Sequence, residues 1–190
     1  MQKISGVILA GGRGQRMGSV NKGLQLFRGK PMSAWACERL APQVDELLIN
    51  ANHDIVDYAR LGYPVVSDVV TGFAGPLAGL HAALSAAQHP LLATVPCDSP
   101  FFPEDLVSRL STALTTGNTR IAVARTGDQL HPVFCLCHRD ALSHLTAYLE
   151  RGERRFENWF RSLAGAEVCF DDQADAFANI NTREELERLS

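Results

Sequence analysis

The sequence predicts a single-domain α/β fold: a Rossmann-like three-layer sandwich whose central sheet is mainly parallel and becomes mixed toward its C-terminal half. Three observations lead there. Short apolar runs alternate with helix-length segments through residues 4–100, the pattern of parallel strands joined by right-handed crossovers. Beyond residue 120 two apolar runs are separated by Thr126-Gly127-Asp128, a turn too short for a crossover, so an antiparallel pair must enter the sheet. At 190 residues and 46% hydrophobic content, one substantial core can be buried.

Taken in order, Ile4 to Leu9 reads as a buried strand ending in a glycine-rich loop, and Pro31 to Leu40 as a helix with Pro31 at its first turn. Glu46 to Ala51 reads as a second strand, Asp54 to Leu61 as a short amphipathic segment, and Pro64 to Asp68 as a third strand ending on a carboxylate. A second glycine-rich turn, residues 72–79, opens an Ala/Leu-rich helix that His89 and Pro90 stop. Leu91 to Pro96 is a fourth strand running into Cys97-Asp98-Ser99-Pro100. A helix is expected over Pro103 to Thr115, a hairpin over Arg120 to Ala124 and His131 to Cys137, and helices over Arg139 to Glu150 and Arg154 to Leu163. Val168 to Phe170 reads as a short strand and Ala176 to Asn181 as extended. Thr182-Arg183-Glu184-Glu185 has the spacing of a capping box for a last helix.

Composition excludes several classes. A net charge of −3, a pI near 6.1 and 7% aromatic residues supply neither a basic surface nor a stacking platform for nucleic acid. No apolar run reaches the ~18 residues of a membrane span, and no signal peptide is visible, so neither a membrane partner nor export is expected and the compartment is cytoplasmic. Five cysteines without a C-x-x-C indicate neither a disulfide framework nor a zinc knuckle. Cys135 and Cys137, two apart, share a strand face and read as reduced, buried hydrophobes. The six histidines have no metal-ligand spacing.

The charge is unevenly placed. Lys3, Arg13, Arg16, Lys22, Arg28 and Lys30 all precede Glu38, the first acidic residue, which predicts an unopposed positive field around the first loop. That loop is not a dinucleotide fingerprint, because the third glycine of G-x-G-x-x-G falls on Met17. Nor is it a Walker A loop, because Gly29-Lys30 is followed by Pro31. It reads instead L-x-G-G-x-x-x-R-M-G-x-x-x-K through Leu9, Gly11, Gly12, Arg16, Met17, Gly18 and Lys22. Glycines at a strand end free backbone N–H groups for phosphate, with cations around them.

In open α/β sheets ligands bind beyond the carboxyl ends of the strands, which points to this loop, Asn50 and Asn52, Asp68, and Asp98. Asp98 suits Mg²⁺, which takes one or two carboxylates and leaves the rest of its shell to phosphate and water; its alternative is to cap the helix after Pro103. Asn50 and Asn52 could equally bond their own loop backbone. Arg154 and Arg155 could be a solvated helix face, and Asn179 and Asn181 could shape the turn before Thr182.

The loop resembles that of nucleotidyltransferases that condense a nucleoside triphosphate with a phosphorylated acceptor. Over the whole chain, Asn50-Ala51-Asn52, Gly75-Pro76-Leu77-Ala78-Gly79, Pro96-Cys97-Asp98, Gly152-Glu153-Arg154-Arg155 and Asn179-Ile180-Asn181-Thr182 make it similar to the molybdenum cofactor guanylyltransferase family. The resemblance implies transfer of GMP from GTP to molybdopterin, with or without bound molybdenum, and release of pyrophosphate. It implies GTP contacts at Leu9, Ala10, Gly11, Gly12, Lys22, Asn50, Asp68, Gly75, Gly79 and Asp98, with Arg16, Lys22 and Asp98 catalytic and Mg²⁺ on Asp98. Arg154, Arg155, Asn179 and Asn181 would face the acceptor, the N-terminal half would bind GTP, and cofactor-receiving apoenzymes or chaperones would be protein partners. Asn21 departs from the family's frequent Asp. The rival activities are a cytidylyltransferase or sugar-phosphate nucleotidyltransferase, and a non-catalytic carrier of GTP or molybdenum cofactor.

Overall fold

The computed structural model describes residues 2–11, 21–70 and 75–180. Gly12, Arg13, Arg16, Met17 and Gly18 of the first loop, residues 72–74 of the second glycine turn, and Asn181 with the expected Thr182 cap and last helix lie outside the described residues.

In chain order, β1 (Ile4–Leu9) leads to a 3₁₀ turn (Lys22–Leu24), a small hairpin of β2 (Leu26–Phe27) and β3 (Lys30–Pro31), and α1 (Met32–Leu40). Then come β4 (Glu46–Asn50), α2 (Ile55–Ala59), β5 (Val65–Val66), α3 (Pro76–Ala86) and β6 (Leu91–Pro96). The second half holds α4 (Leu106–Thr116), β7 (Ile121–Thr126), β8 (Gln129–His138), α5 (Ala141–Glu150), α6 (Phe156–Ser162) and β9 (Ala166–Cys169), closed by a 3₁₀ stretch (Asp171–Phe177).

Seven strands form one sheet in the order β5-β4-β1-β6-β8-β7-β9. β8 runs antiparallel to both neighbours, and the other pairings are parallel, which is the mixed sheet expected from the short turn at Gly127. Strand alternation divides the core. Ile8, Ile49 and Val95 face a cluster that includes Cys37 and Leu40 of α1 and Leu106 and Leu110 of α4. Val7, Leu48 and Leu92 face the opposite cluster, with Leu80 of α3, Leu145 of α5 and Trp159 of α6. Helices therefore cover both faces, as a parallel sheet requires. Cys135 and Cys137 lie together in the second cluster as buried free thiols, in accord with their spacing.

Three local expectations are corrected, and one alternative is removed. Arg154 and Arg155 precede α6 rather than lying in it. Gly79 sits inside α3, which begins at Pro76, rather than in a turn. Residues 171–177 coil into 3₁₀ geometry where extended chain was expected from Ala176. α4 starts at Leu106 with Asp105 as its N-cap residue, so Asp98 caps no helix there.

β8 also carries an irregularity. Val123 pairs with Cys135 but the next residue, Ala124, pairs with His131, so Pro132, Val133 and Phe134 leave the ladder. Pro132 has no N–H to donate, which makes a break at this point inexpensive.

Candidate active site

β1 is the point where the parallel sheet grows both ways, to β4 on one side and β6 on the other. The ends of those strands leave a crevice where ligands of open α/β sheets bind. A cavity of about 280 Å³ occupies it, lined by Leu9, Ala10, Gly11, Lys22, Asn50, Asp68, Gly75 and Asp98 among others. Eight residues separately expected from the sequence thus share one lining.

Its far wall is a network of side chains. Asn50 is buried at the end of β4 and donates from Nδ2 to the Val66 carbonyl (3.2 Å) and to Asp68 Oδ1 (2.9 Å). Asn52 Nδ2 donates to Asp68 Oδ2 (2.8 Å), and the Asp68 backbone N–H donates back to Asn52 Oδ1 (2.8 Å). The two asparagines therefore hold the carboxylate across strands instead of merely shaping their own loop. Each Asp68 oxygen keeps acceptor capacity beyond these bonds. Gly79 explains why α3 comes so near: a Cβ there would stand 2.4 Å from Asn50 Oδ1 and 3.0 Å from Leu9 Cδ2. Its place is behind Asn50, and it is not part of the cavity lining. Gly75 does line the cavity, at φ 150°, a backbone region that side chains rarely enter.

The near wall carries the charge. Lys22 Nζ lies 3.5 Å from Asp98 Oδ2, with the two side chains 24% and 18% exposed. Among the described cations of the first stretch, Lys22 meets Asp98 and Lys30 meets Glu38, so the field expected to be unopposed is opposed at those two positions. Cys97, beside Asp98, offers no nucleophile, because burial and then the Asp98 charge push its thiol well above the usual range. No group of three His, Cys, Asp or Glu side chains converges on a metal site among the described residues. One or two carboxylates nonetheless suit Mg²⁺, whose remaining ligands come from substrate and water, and Asp98 beside Lys22 is the one with its oxygens not held by Asn50 and Asn52.

Asp98 also lines a second cavity, of about 510 Å³, and shares that position with Pro96 and Val133. This space lies at the β8 irregularity, and its walls include Pro132, Phe134, His131, Phe177 and Asn179. His131 stacks on Phe177 with centroids 4.7 Å apart and planes 17° from parallel, and Phe134 meets Phe177 edge-on at 4.9 Å. Burial lowers the His131 pKa, and its Nε2 lies 2.7 Å from Thr126 Oγ1. The segment after the 3₁₀ stretch is tied to the acid: Ile180 N–H donates to the Asp98 carbonyl (2.8 Å), and Ser99 Oγ donates to Asn179 Oδ1.

Arg154 and Arg155 line neither cavity; they are exposed on the turn between α5 and α6. Because β8 is antiparallel, α5 returns this turn to the same edge of the sheet as the site. Sequence reasoning missed His131 and Phe177, which are distant in sequence and carry no motif; Pro132 inside an apolar run was the one available sign of a break in β8.

Comparison with known proteins places the whole chain in context. The family model described as MobA-like NTP transferase domain matches residues 6–167. The chain is 51% identical to the molybdenum cofactor guanylyltransferase of Ralstonia nicotianae, with 98% of this chain and 96% of that protein covered. It is 48% identical to the enzyme of the same name from Bordetella petrii, with 98% and 96% covered. In fold it is similar to molybdopterin-guanine dinucleotide biosynthesis protein A from Archaeoglobus fulgidus, at a TM-score of 0.81, 21% identity, and 97% and 96% coverage.

Proposed function

The chain belongs to the MobA-like NTP transferase domain family, and on that premise we propose that the two cavities meeting at Asp98 are the donor and acceptor halves of one nucleotidyl-transfer site. The protein is a nucleotidyltransferase that transfers GMP from GTP to the phosphate of molybdopterin and releases pyrophosphate, the activity carried by its close relatives' names. The observation that supports the division of the site is the position of Asp98, which lines both cavities and has Lys22 Nζ at 3.5 Å.

GTP takes the first cavity, with its nucleoside toward Asn50 and Asp68 and its phosphates toward Gly11, Lys22 and Asp98. Arg16 lies outside the described residues, and its catalytic role rests on the loop pattern alone. Molybdopterin takes the second cavity, beside Asn179, so that the N-terminal half serves the donor and the C-terminal half the acceptor. Arg154 and Arg155, on the same sheet edge, would meet the outer part of the acceptor.

An oxygen of the molybdopterin phosphate forms a bond to the α-phosphorus of GTP. The bond from that phosphorus to the α–β bridging oxygen breaks, and its electron pair leaves with pyrophosphate. The attacking oxygen is already anionic, so no side chain need remove a proton, and alignment and charge neutralisation supply the catalysis. Lys22 offsets charge on the phosphates. Family chemistry uses a divalent cation; Mg²⁺ held by Asp98 would add Lewis-acid neutralisation at the phosphate oxygens.

No helix among the described residues is long and apolar enough to cross a membrane. The cytoplasm is the compartment this reading assigns, with cofactor-receiving apoenzymes or chaperones downstream. The test is pyrophosphate release from GTP, CTP, ATP and UTP, each with and without molybdopterin. Release that requires both GTP and molybdopterin is expected. A preference for CTP, or no release with any nucleotide, would overturn the reading in favour of a cytidylyltransferase or a carrier.

A further inference from the structure

Lys22 Nζ lies 3.5 Å from Asp98 Oδ2, and the backbone that carries the lysine is held through the residues on either side of it. Asn21, before it, accepts a hydrogen bond at Oδ1 from the Tyr58 hydroxyl (2.6 Å) and donates from Nδ2 to Asp54 Oδ2 (3.1 Å). Gly23, after it, is buried so closely that a Cβ would stand 2.4 Å from the same Tyr58 hydroxyl and 3.2 Å from Cys97 Sγ. The Gly23 carbonyl accepts from Ser33 Oγ at 2.7 Å. One phenol oxygen therefore touches both flanks of Lys22. Tyr58 has no exposed surface, and burial raises its pKa, so the hydroxyl remains a donor.

We propose that Tyr58 is a positioning residue, whose hydroxyl fixes the 3₁₀ turn at Lys22–Leu24 so that Lys22 points at the substrate phosphates. The inference rests on the phosphate-binding reading of Lys22 given above. Tyr58 also belongs to α2, which follows Asn50 and Asn52 directly, so the connection after β4 supports both ends of the donor cavity. The asparagine at position 21 then has a use of its own: an amide can donate to Asp54 while accepting from Tyr58, which a carboxylate in its place could not do.

The test is a double-mutant cycle read by binding of inorganic tripolyphosphate with magnesium, a probe that needs neither guanine nor acceptor. Tyr58→Phe removes the hydroxyl and keeps the ring; a hydrogen bond of ordinary worth predicts an affinity loss of about fivefold to tenfold with Lys22 present. In a Lys22→Ala background the same change should cost less than about twofold, because the residue it positions is gone. Asn21→Ala breaks the bond from its other end and should give the same Lys22-dependent loss without disturbing the buried ring. A loss that is equal with and without Lys22 would overturn the positioning role while leaving the phosphate reading intact. Wild-type protein that binds tripolyphosphate no better than Lys22→Ala would overturn both.

Discussion

One wall of the proposed donor cavity is a set of polar side chains bonded to one another, whereas the proposed acceptor cavity mixes packed rings with the polar side chains of Thr126, Gln129, Asp175 and Asn179 at a break in the β8 ladder. In the first, Asn50, Asn52 and Asp68 hold fixed positions through four hydrogen bonds, two of them between side chains and two involving backbone groups. In the second, His131, Phe134 and Phe177 pack face and edge, and three β8 residues have left the sheet. Parallel strand ends leave their terminal side chains pointing into a crevice, which favours a rigid hydrogen-bonding surface suited to a nucleotide. An irregular antiparallel strand opens a broader space that sets rings beside polar groups, suited to a heterocycle that carries its own hydrogen-bonding edge. The chemistry is expected where these two constructions touch, at Asp98.

Breaking that junction should have the largest effect. Asp98→Asn is expected to lower molybdopterin-dependent pyrophosphate release by about a thousandfold, with extra magnesium recovering only part. Its unliganded melting should move little, because an ion pair this loose and partly exposed contributes under about 1 kcal/mol. A variant that melts early and turns over normally would show that Asp98 has a structural role alone. Lys22→Ala should follow at about a hundredfold.

Next in size is a perturbation confined to the donor side. Gly79→Ala drives a methyl into Asn50 and should destabilise the fold by about 1–3 kcal/mol while raising the KM for GTP and leaving that for molybdopterin unchanged. Equal rises in both constants would mean that the two cavities are not separable. On the acceptor side, Phe177→Leu removes the stacked partner of His131, and the KM for molybdopterin should rise about fivefold with GTP affinity unaffected.

The smallest effect concerns pH. Burial lowers the pKa of His131 and of His81, so each favours the neutral form in the folded chain. Their contribution is complete above the ordinary histidine value of 6.5 and is lost as pH falls below it toward the folded values. Melting curves from pH 7.5 downward should show the decline beginning near 6.5, and His131→Gln with His81→Gln should flatten it.

Much of this arrangement was legible in the letters. The apolar runs of β1, β4 and β6 end on Gly, Asn and Asp, so the position of Leu9, Asn50 and Asp98 at strand ends followed from strand length alone. The bond between Asn50 and Asp68 did not, since it depends on β4 and β5 lying side by side. Tyr58 looked like one apolar position in a short amphipathic helix, and nothing local showed its hydroxyl reaching residue 21. The β2–β3 hairpin turns at Arg28 and Gly29, both at positive φ, and an arginine gives no local sign that it will take the left-handed conformation such a turn demands. Arg154 and Arg155 were placed on a helix because charge spacing does not reveal where a helix begins.

The bond from Ile180 N–H to the Asp98 carbonyl has a consequence for the order in which the molecule is made. During synthesis, the four strands at one side of the sheet, β5, β4, β1 and β6, have all been made once residue 96 is added. The peptide that follows β6 must wait for more than eighty further residues before its backbone is tied down. The strand ends that wall the first cavity are therefore made well before the segment that anchors the backbone of Asp98.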